Sequence, residues 1–356
     1  MAVEDRGILV VVGSYTESMP HVAAKGVGIS LLRVDPDRQT FVPVATCDKL
    51  RNPSYLALSD DCKRLYAVEV LAEAEGAAVA ALDLDPQSGF RVTGRQGAQG
   101  DCPCHVALDL DQSRLLIANY MTGSVVCYPL DPNGTIAAAG ERVERSGHGP
   151  NPDRQEGPHA HQVVPAADER GVFVCDAGTD EILHYPFVGA ALAATPDLIL
   201  KAPPGSLPRH LVQSADGRML FVVHELGCMV QSYLRDGDEF RPVAQVPTLP
   251  KGAVPSACAA IRLHPNGRFL YVSNRGDDSI AAFAVGAGAE LQPLGWTPTG
   301  GTTPRDFNID PSGRYLGAAN QDSHSLCLFE IDAGSGALNA LGQPYPLGSP
   351  TCVLFA

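Results

Sequence analysis

Runs of four to eight residues rich in Val, Leu, Ile, Tyr and Phe recur along the chain. They alternate with polar residues and are broken by turn pairs such as DG, NG and SG. This periodicity predicts β-strands joined by tight turns, and long amphipathic helical patterns are missing. The runs form a repeating unit. A proline opens an apolar run, a turn containing Asp, Asn or Gly follows, then a basic residue and a second apolar run. Copies begin at Pro53 (PSYLALSDDCKRLYAVEV), Pro103, Pro158, Pro208, Pro255 and Pro304. A seventh proline, Pro350, opens PTCVLFA, and successive prolines lie 46–55 residues apart. Each unit continues with two more alternating runs, for example SIAAFAVG and LQPLGWTPTG after Asn274. Four strands in about 50 residues make one propeller blade.

The two ends fit the same scheme. PTCVLFA reads as a first strand without partners, and ILVVVGSYT, GVGISLLRVD and FVPVATCD read as a second, third and fourth. Head and tail together make one blade, so the expectation is an all-β, seven-bladed propeller of four-stranded blades spanning residues 1–356 as one domain. Pro350–Ala356 pairs with the N-terminal strands. Closing the ring removes the exposed sheet edge of an open array.

Composition narrows the function. With 45% hydrophobic and 19% charged residues, the 356-residue chain has ample material for a core. A net charge of −14 argues against a nucleic-acid partner, which needs a basic footprint. No apolar stretch approaches the ~18 residues of a membrane helix, so no membrane partner is expected. Glu4 and Asp5 precede a short apolar run at the start, which does not read as a signal peptide. Ten cysteines scattered through apolar runs suggest reduced thiols in a cytoplasm. A closed ring with an acidic surface leads to the expectation of a monomer or weak oligomer.

Propeller geometry singles out candidate chemistry. The start of each first strand and the end of each second strand lie at the same rim of the central channel, so residues about 50 apart in sequence converge there. After the prolines come Ser54, Cys104, His159, Arg209, Ser256, Arg305 and Thr351, then Tyr55, His105, Ala160, His210, Ala257, Asp306 and Cys352. Strand-two ends bring Ser14 and Tyr15, Glu69, Asn119 and Tyr120, Asp176, His224 and Glu225, Asn274 and Arg275, Asn320 and Gln321. Three arginines, several histidines and two or three carboxylates around one funnel describe a site for an anionic substrate with an acid or base available. Arg209, Glu225 and Arg275 stand out. His159 and His161 are two apart on an extended segment and point the same way, so either is a candidate acid or base. Neither has metal-ligand partners at fixed spacing, and Cys102-Pro-Cys104-His105 lacks a matching second pair, so no metal and no cofactor are expected. Cys102 and Cys104 read as buried thiols. Gly26-Val27-Gly28 opens a strand and lacks the remainder of a dinucleotide fingerprint.

The segment HGPNPDRQEGPHAHQV from His148, with Arg209 in LPRH, Glu225 in VVHEL and Arg275 in VSNRGDDS, resembles the seven-bladed propeller lactonase family. That family includes 6-phosphogluconolactonases and the carboxy-cis,cis-muconate lactonising enzymes (cycloisomerase 2-like). The resemblance covers essentially the whole chain, with VGSYT and NPSYLALSDDCKRLYAV adding to it. It implies a catalytic set of His161, Arg209, Glu225 and Arg275, with His161 preferred to His159 because its spacing to the LPRH arginine fits better. It further implies a metal-independent carboxylic-ester hydrolase acting on 6-phospho-D-glucono-1,5-lactone in the pentose phosphate pathway. His161 or Glu225 is then the base, and Arg209 and Arg275 hold the anion and the developing oxyanion. His159, His105, Arg305 and Asn274 add contacts to the small anionic sugar lactone or carboxylate substrate. Two alternatives stay open: a lactonising cycloisomerase acting on a muconate, and a non-catalytic propeller binding module.

Overall fold

The computed structural model describes residues 7–20 and 22–356. Glu4 and Asp5, on which the reading of the chain start rests, lie outside them. Seven antiparallel sheets stand in a ring. Blades 1 to 6 comprise residues 53–97, 103–144, 160–201, 208–247, 257–298 and 304–346, each running from the axis outward in sequence order. Blade 7 is composite. Its innermost strand, Pro350–Phe355, pairs with Leu9–Ser14, which is followed outward by Ile29–Asp35 and Thr40–Cys47. Each innermost strand touches the next around the ring, and Pro350–Phe355 touches both Pro304–Ile309 and Pro53–Leu58, so the ring is closed. Blade 3 departs from four plain strands. Its third strand, Glu181–Val188, pairs at one end with Ala191–Leu192 and along the rest with Leu198–Lys201.

The burial pattern follows from position in the ring. Second strands such as Arg64–Glu69 and Gly171–Asp176 are apolar on both faces because a neighbouring blade covers each side. Outer strands such as Gly89–Gly97 are mostly exposed and polar. The core therefore consists of slabs between blades. Leu31, Leu56, Leu65 and Leu82 fill the one between blades 7 and 1. Tyr271, Phe307 and Phe329 fill the one between blades 5 and 6.

One irregularity recurs in every blade and positions everything at the axis. The innermost strand makes one pair with the end of the second strand, two in blade 5, then slips register. Pro208 faces His224 but His210 faces Val223, which leaves Arg209 as the extra residue of a β-bulge. The same slip leaves out Ser54, Cys104, His161, Arg305 and Thr351. In blade 5 it falls at Ala259 and Ala260. A bulged residue escapes the alternation of the pleat, and in blades 2, 3, 4 and 6 this brings Cys104, His161, Arg209 and Arg305 to the channel mouth.

The seam in blade 7 should govern stability. The single Thr351 hydroxyl lies within hydrogen-bond reach of both Gly13 O and Ser54 O, at 3.2 and 3.0 Å, so the closing strand is set against two blades. Removing residues 350–356 exposes the edge of Leu9–Ser14. The shortened chain should melt at a markedly lower temperature in calorimetry and aggregate by light scattering. An unchanged melting temperature would contradict the closed ring.

Candidate active site

Two positions per blade supply the lining of one cavity at the channel mouth. The first is the bulged residue, giving Cys104, His161, Arg209 and Arg305. The second is the end of the second strand, giving Tyr15, Val70, Tyr120 and Glu225 just beyond the last pair and Arg275 on it. Connecting segments add Met19, Cys102, Met121 and Arg154. The cavity holds about 480 Å³. Blades 7, 1 and 2 give it an apolar and thiol-bearing side. The charged side comes from blades 3 to 6 and the segment that leads into blade 3.

Four guanidiniums and a single carboxylate line the cavity among the described residues. Glu225 organises them. Its Oε2 lies 3.2 Å from both Arg209 Nε and Arg275 Nη2, and its Oε1 accepts a 2.8 Å hydrogen bond from Arg154 Nη2. Backbone carbonyls fix two of the arginines further. Arg209 Nη1 donates to Ala259 O at 2.6 Å, and Arg275 Nη2 donates to Cys258 O at 2.8 Å. Arg305 has no carboxylate partner among the described residues and lies over the ring of Tyr15.

These contacts set the protonation states. Burial works to raise the Glu225 pKa, but Arg275 and Arg209, with His161 and Arg154, outweigh it and hold the carboxyl well below its usual range. Arg209, 3% exposed, is pulled down to about 10 by burial and by its neighbours Arg275 and Arg305, and stays charged at neutral pH. Burial and then Arg209 push the His161 imidazole well below its ordinary value, so it is neutral. Its Nδ1 is buried without a hydrogen-bond partner among the described residues. Behind it His210 and His105 continue a file of rings toward Tyr55, with centroid separations of 5.2, 5.7 and 4.2 Å. Burial depresses these two histidines as well. At the foot of the file Arg262 Nη2 donates to Asp306 Oδ1 at 2.8 Å.

The family model described as lactonase, 7-bladed β-propeller, matches residues 9–355. The chain belongs to the seven-bladed propeller lactonase family. It is 32% identical over 349 residues to a 6-phosphogluconolactonase of Bacillus subtilis, covering 97% of each chain. A Pseudomonas aeruginosa periplasmic gluconolactonase of known structure superposes with a TM-score of 0.89 at 30% identity, over 98% of this chain and 99% of that one. A Bacteroides fragilis protein superposes at 0.90 with 28% identity, over 100% and 99%.

The cavity at the channel mouth brings together His161, Arg209, Glu225, Arg275 and Arg305. Three further candidates fall elsewhere. Asn274 is fully buried, donating through Nδ2 to Thr248 O and Ser279 Oγ at 3.0 and 3.2 Å. The next residue, Arg275, which pairs with Ala257 and ends the strand, lines the cavity. His159 sits behind Tyr120, stacked on it at 4.4 Å, with Nδ1 2.9 Å from Tyr120 O. His105 belongs to the file below the cavity and is absent from its wall. The expected two or three carboxylates reduce to one, because Asp176 accepts from the backbone N–H groups of His159, Gly178 and Thr179, and Glu69 binds Arg51 N and Arg95. Cys102 and Cys104, read as buried thiols, line the cavity. Cys104 Sγ reaches Ala160 O and His161 O, and burial pushes the thiol up to about 12. Arg154 was not singled out from the sequence, although it stands inside the NPDRQEGPHAH signature. A charged residue within a turn-forming segment of that signature was the available clue.

Two consequences can be measured. Replacing Glu225 by Gln removes one charge from three ion pairs at a buried position, and should cost about 3–5 kcal/mol in denaturant unfolding. The second concerns pH. His161, His210 and His105 have folded pKa values depressed below the unfolded value of about 6.5, so unfolding at acid pH takes up protons. Their contribution to stability is present above about pH 6.5 and is lost as pH falls below it, by roughly 1.4 kcal/mol per pH unit for each histidine. Unfolding titrations between pH 7 and 5 should therefore show proton uptake, reduced in a His210→Phe variant.

Proposed function

We propose that this protein is a lactone hydrolase whose substrate carries an anionic substituent, with 6-phospho-D-glucono-1,5-lactone of the pentose phosphate pathway the leading candidate. The observation that carries this reading is the cavity in which four guanidiniums face one carboxylate beside a neutral imidazole. Such a cavity favours a substrate with negative charge and a transition state that gains more of it. The naming of relatives as 6-phosphogluconolactonase and gluconolactonase supports the same class. Ten unpaired thiols support a cytoplasmic location.

In this mechanism a water molecule attacks the lactone carbonyl carbon and gives up a proton to the neutral His161 imidazole. Arg209 and Arg275 face the oxyanion that forms, already held in place by Glu225 and by backbone carbonyls, so little reorganisation is needed. Collapse of the tetrahedral intermediate breaks the bond to the ring oxygen, which takes the proton back from His161. Water and lactone become a hydroxy acid, with the atoms balanced. Glu225 is assigned to holding the guanidiniums. The Glu225 oxygens are taken up by three guanidiniums, whereas the neutral His161 imidazole has an Nδ1 with no hydrogen-bond partner among the described residues and is assigned the proton transfer.

Freshly prepared 6-phosphogluconolactone and unphosphorylated gluconolactone should both open faster than their spontaneous rates, the phosphorylated one preferentially. Arg209→Ala should lower kcat/KM by about 10²-fold or more with the fold intact by circular dichroism. Turnover of a cis,cis-muconate with neither lactone accelerated would replace hydrolysis by lactonisation.

A further inference from the structure

Arg154 is the one guanidinium of the cluster that does not project from a strand or strand end. It lies on the connection between blades 2 and 3, whose backbone is well braced. Gln155, 1% exposed, donates through Nε2 to Ala177 O at 2.9 Å, and its N–H donates to Asn151 O at 2.8 Å. Gly178 packs so closely that a Cβ there would lie 1.9 Å from Gly157 O. The Arg154 side chain is the contrast. It is 39% exposed, and its contacts are to two other side chains, Glu225 Oε1 at 2.8 Å and Tyr120 Oη at 3.4 Å. Arg209 and Arg275 share the other carboxylate oxygen and are pinned by carbonyls, so neither can leave cheaply.

We propose that Arg154 is a specificity residue that exchanges partners: it holds Glu225 Oε1 in the empty site and moves to the anionic substituent of the substrate in the occupied one, releasing that oxygen to orient the attacking water. The proposal rests on the hydrolase reading. A phosphate monoester, nearly doubly charged near neutral pH, outbids a carboxylate already neutralised by two other guanidiniums. Arg305, unopposed by a carboxylate, receives the same anion without giving up a partner. No covalent bond changes in the exchange. It makes Glu225 Oε1 available only when the correct substrate is present, which separates phosphorylated from unphosphorylated lactones beyond simple affinity. Losing one of its three cationic partners also returns the carboxylate toward ordinary basicity.

The test compares wild type, Arg154→Ala and Arg154→Lys in two assays. Calorimetric titration with inorganic phosphate should show binding to wild type, weakened about tenfold or more in Arg154→Ala and less in Arg154→Lys. The ratio of kcat/KM for 6-phosphogluconolactone to that for gluconolactone should fall by about tenfold or more in Arg154→Ala, with part of the loss appearing in kcat. A phosphate affinity in Arg154→Ala within twofold of wild type overturns the proposal. So does an equal loss on both lactones, which would mean that Arg154 only braces Glu225. If wild type accelerates neither lactone, the hydrolase reading falls and the phosphate titration alone decides whether Arg154 takes an anion.

Discussion

A pleated strand points alternate side chains to opposite faces, and in a propeller both faces of an inner strand are claimed by neighbouring blades. Functional groups reach the channel mouth where that alternation is broken or where the second strand ends. Here the alternation is broken once per blade, at a bulge near the start of the innermost strand, and His161, Arg209 and Arg305 are the bulged residues of blades 3, 4 and 6. The partner strand contributes the residue at its end, Glu225 just past the ladder in blade 4 and Arg275 on its last pair in blade 5. The site is thus assembled from rigid positions, each located by backbone pairing, which suits chemistry that depends on charges being in place before the substrate arrives.

Concentrating guanidiniums is costly, and Glu225 is what makes it tolerable. Its two oxygens are divided between three cations, and the remaining donors of Arg209 and Arg275 go to carbonyls of blade 5. The arrangement leaves a surplus of positive charge directed at the cavity in a protein that is acidic as a whole. The neutral state of His161 is a by-product of the same surplus, since burial and Arg209 both oppose its protonation. One carboxylate therefore underlies the anion preference, while burial and Arg209 hold His161 neutral against the pull of Glu225.

The ring was legible because its period is. Prolines near the blade starts and alternating runs mark each unit, and the split blade followed from the unmatched ends. Part of the site was legible for the same reason, since Arg209 and Arg305 directly follow a proline that opens a strand. Elsewhere the proline misleads by two or three residues. The ladder of blade 3 begins at Ala160, not Pro158, so the bulge falls on His161, and His159 becomes a support for Tyr120. Asn274 and Arg275 are adjacent, yet one residue separates a buried structural amide from a cavity-lining cation. Bulge register is a property of paired strands and leaves no mark in a single one. Arg154 follows no period at all, because it comes from a connection.

The closing pair of blade 7 carries a kinetic consequence. Thr351 meets Gly13 across 338 positions of chain, so the contact that completes the ring is among the most distant in sequence that the molecule makes. Contacts within blades 1 to 6 are local and inexpensive in loop entropy, whereas this one requires the two ends of an otherwise assembled array to find each other. Assembly should then be a race between that encounter and pairing with another chain through the same open edge, and dilution would favour the closed monomeric ring.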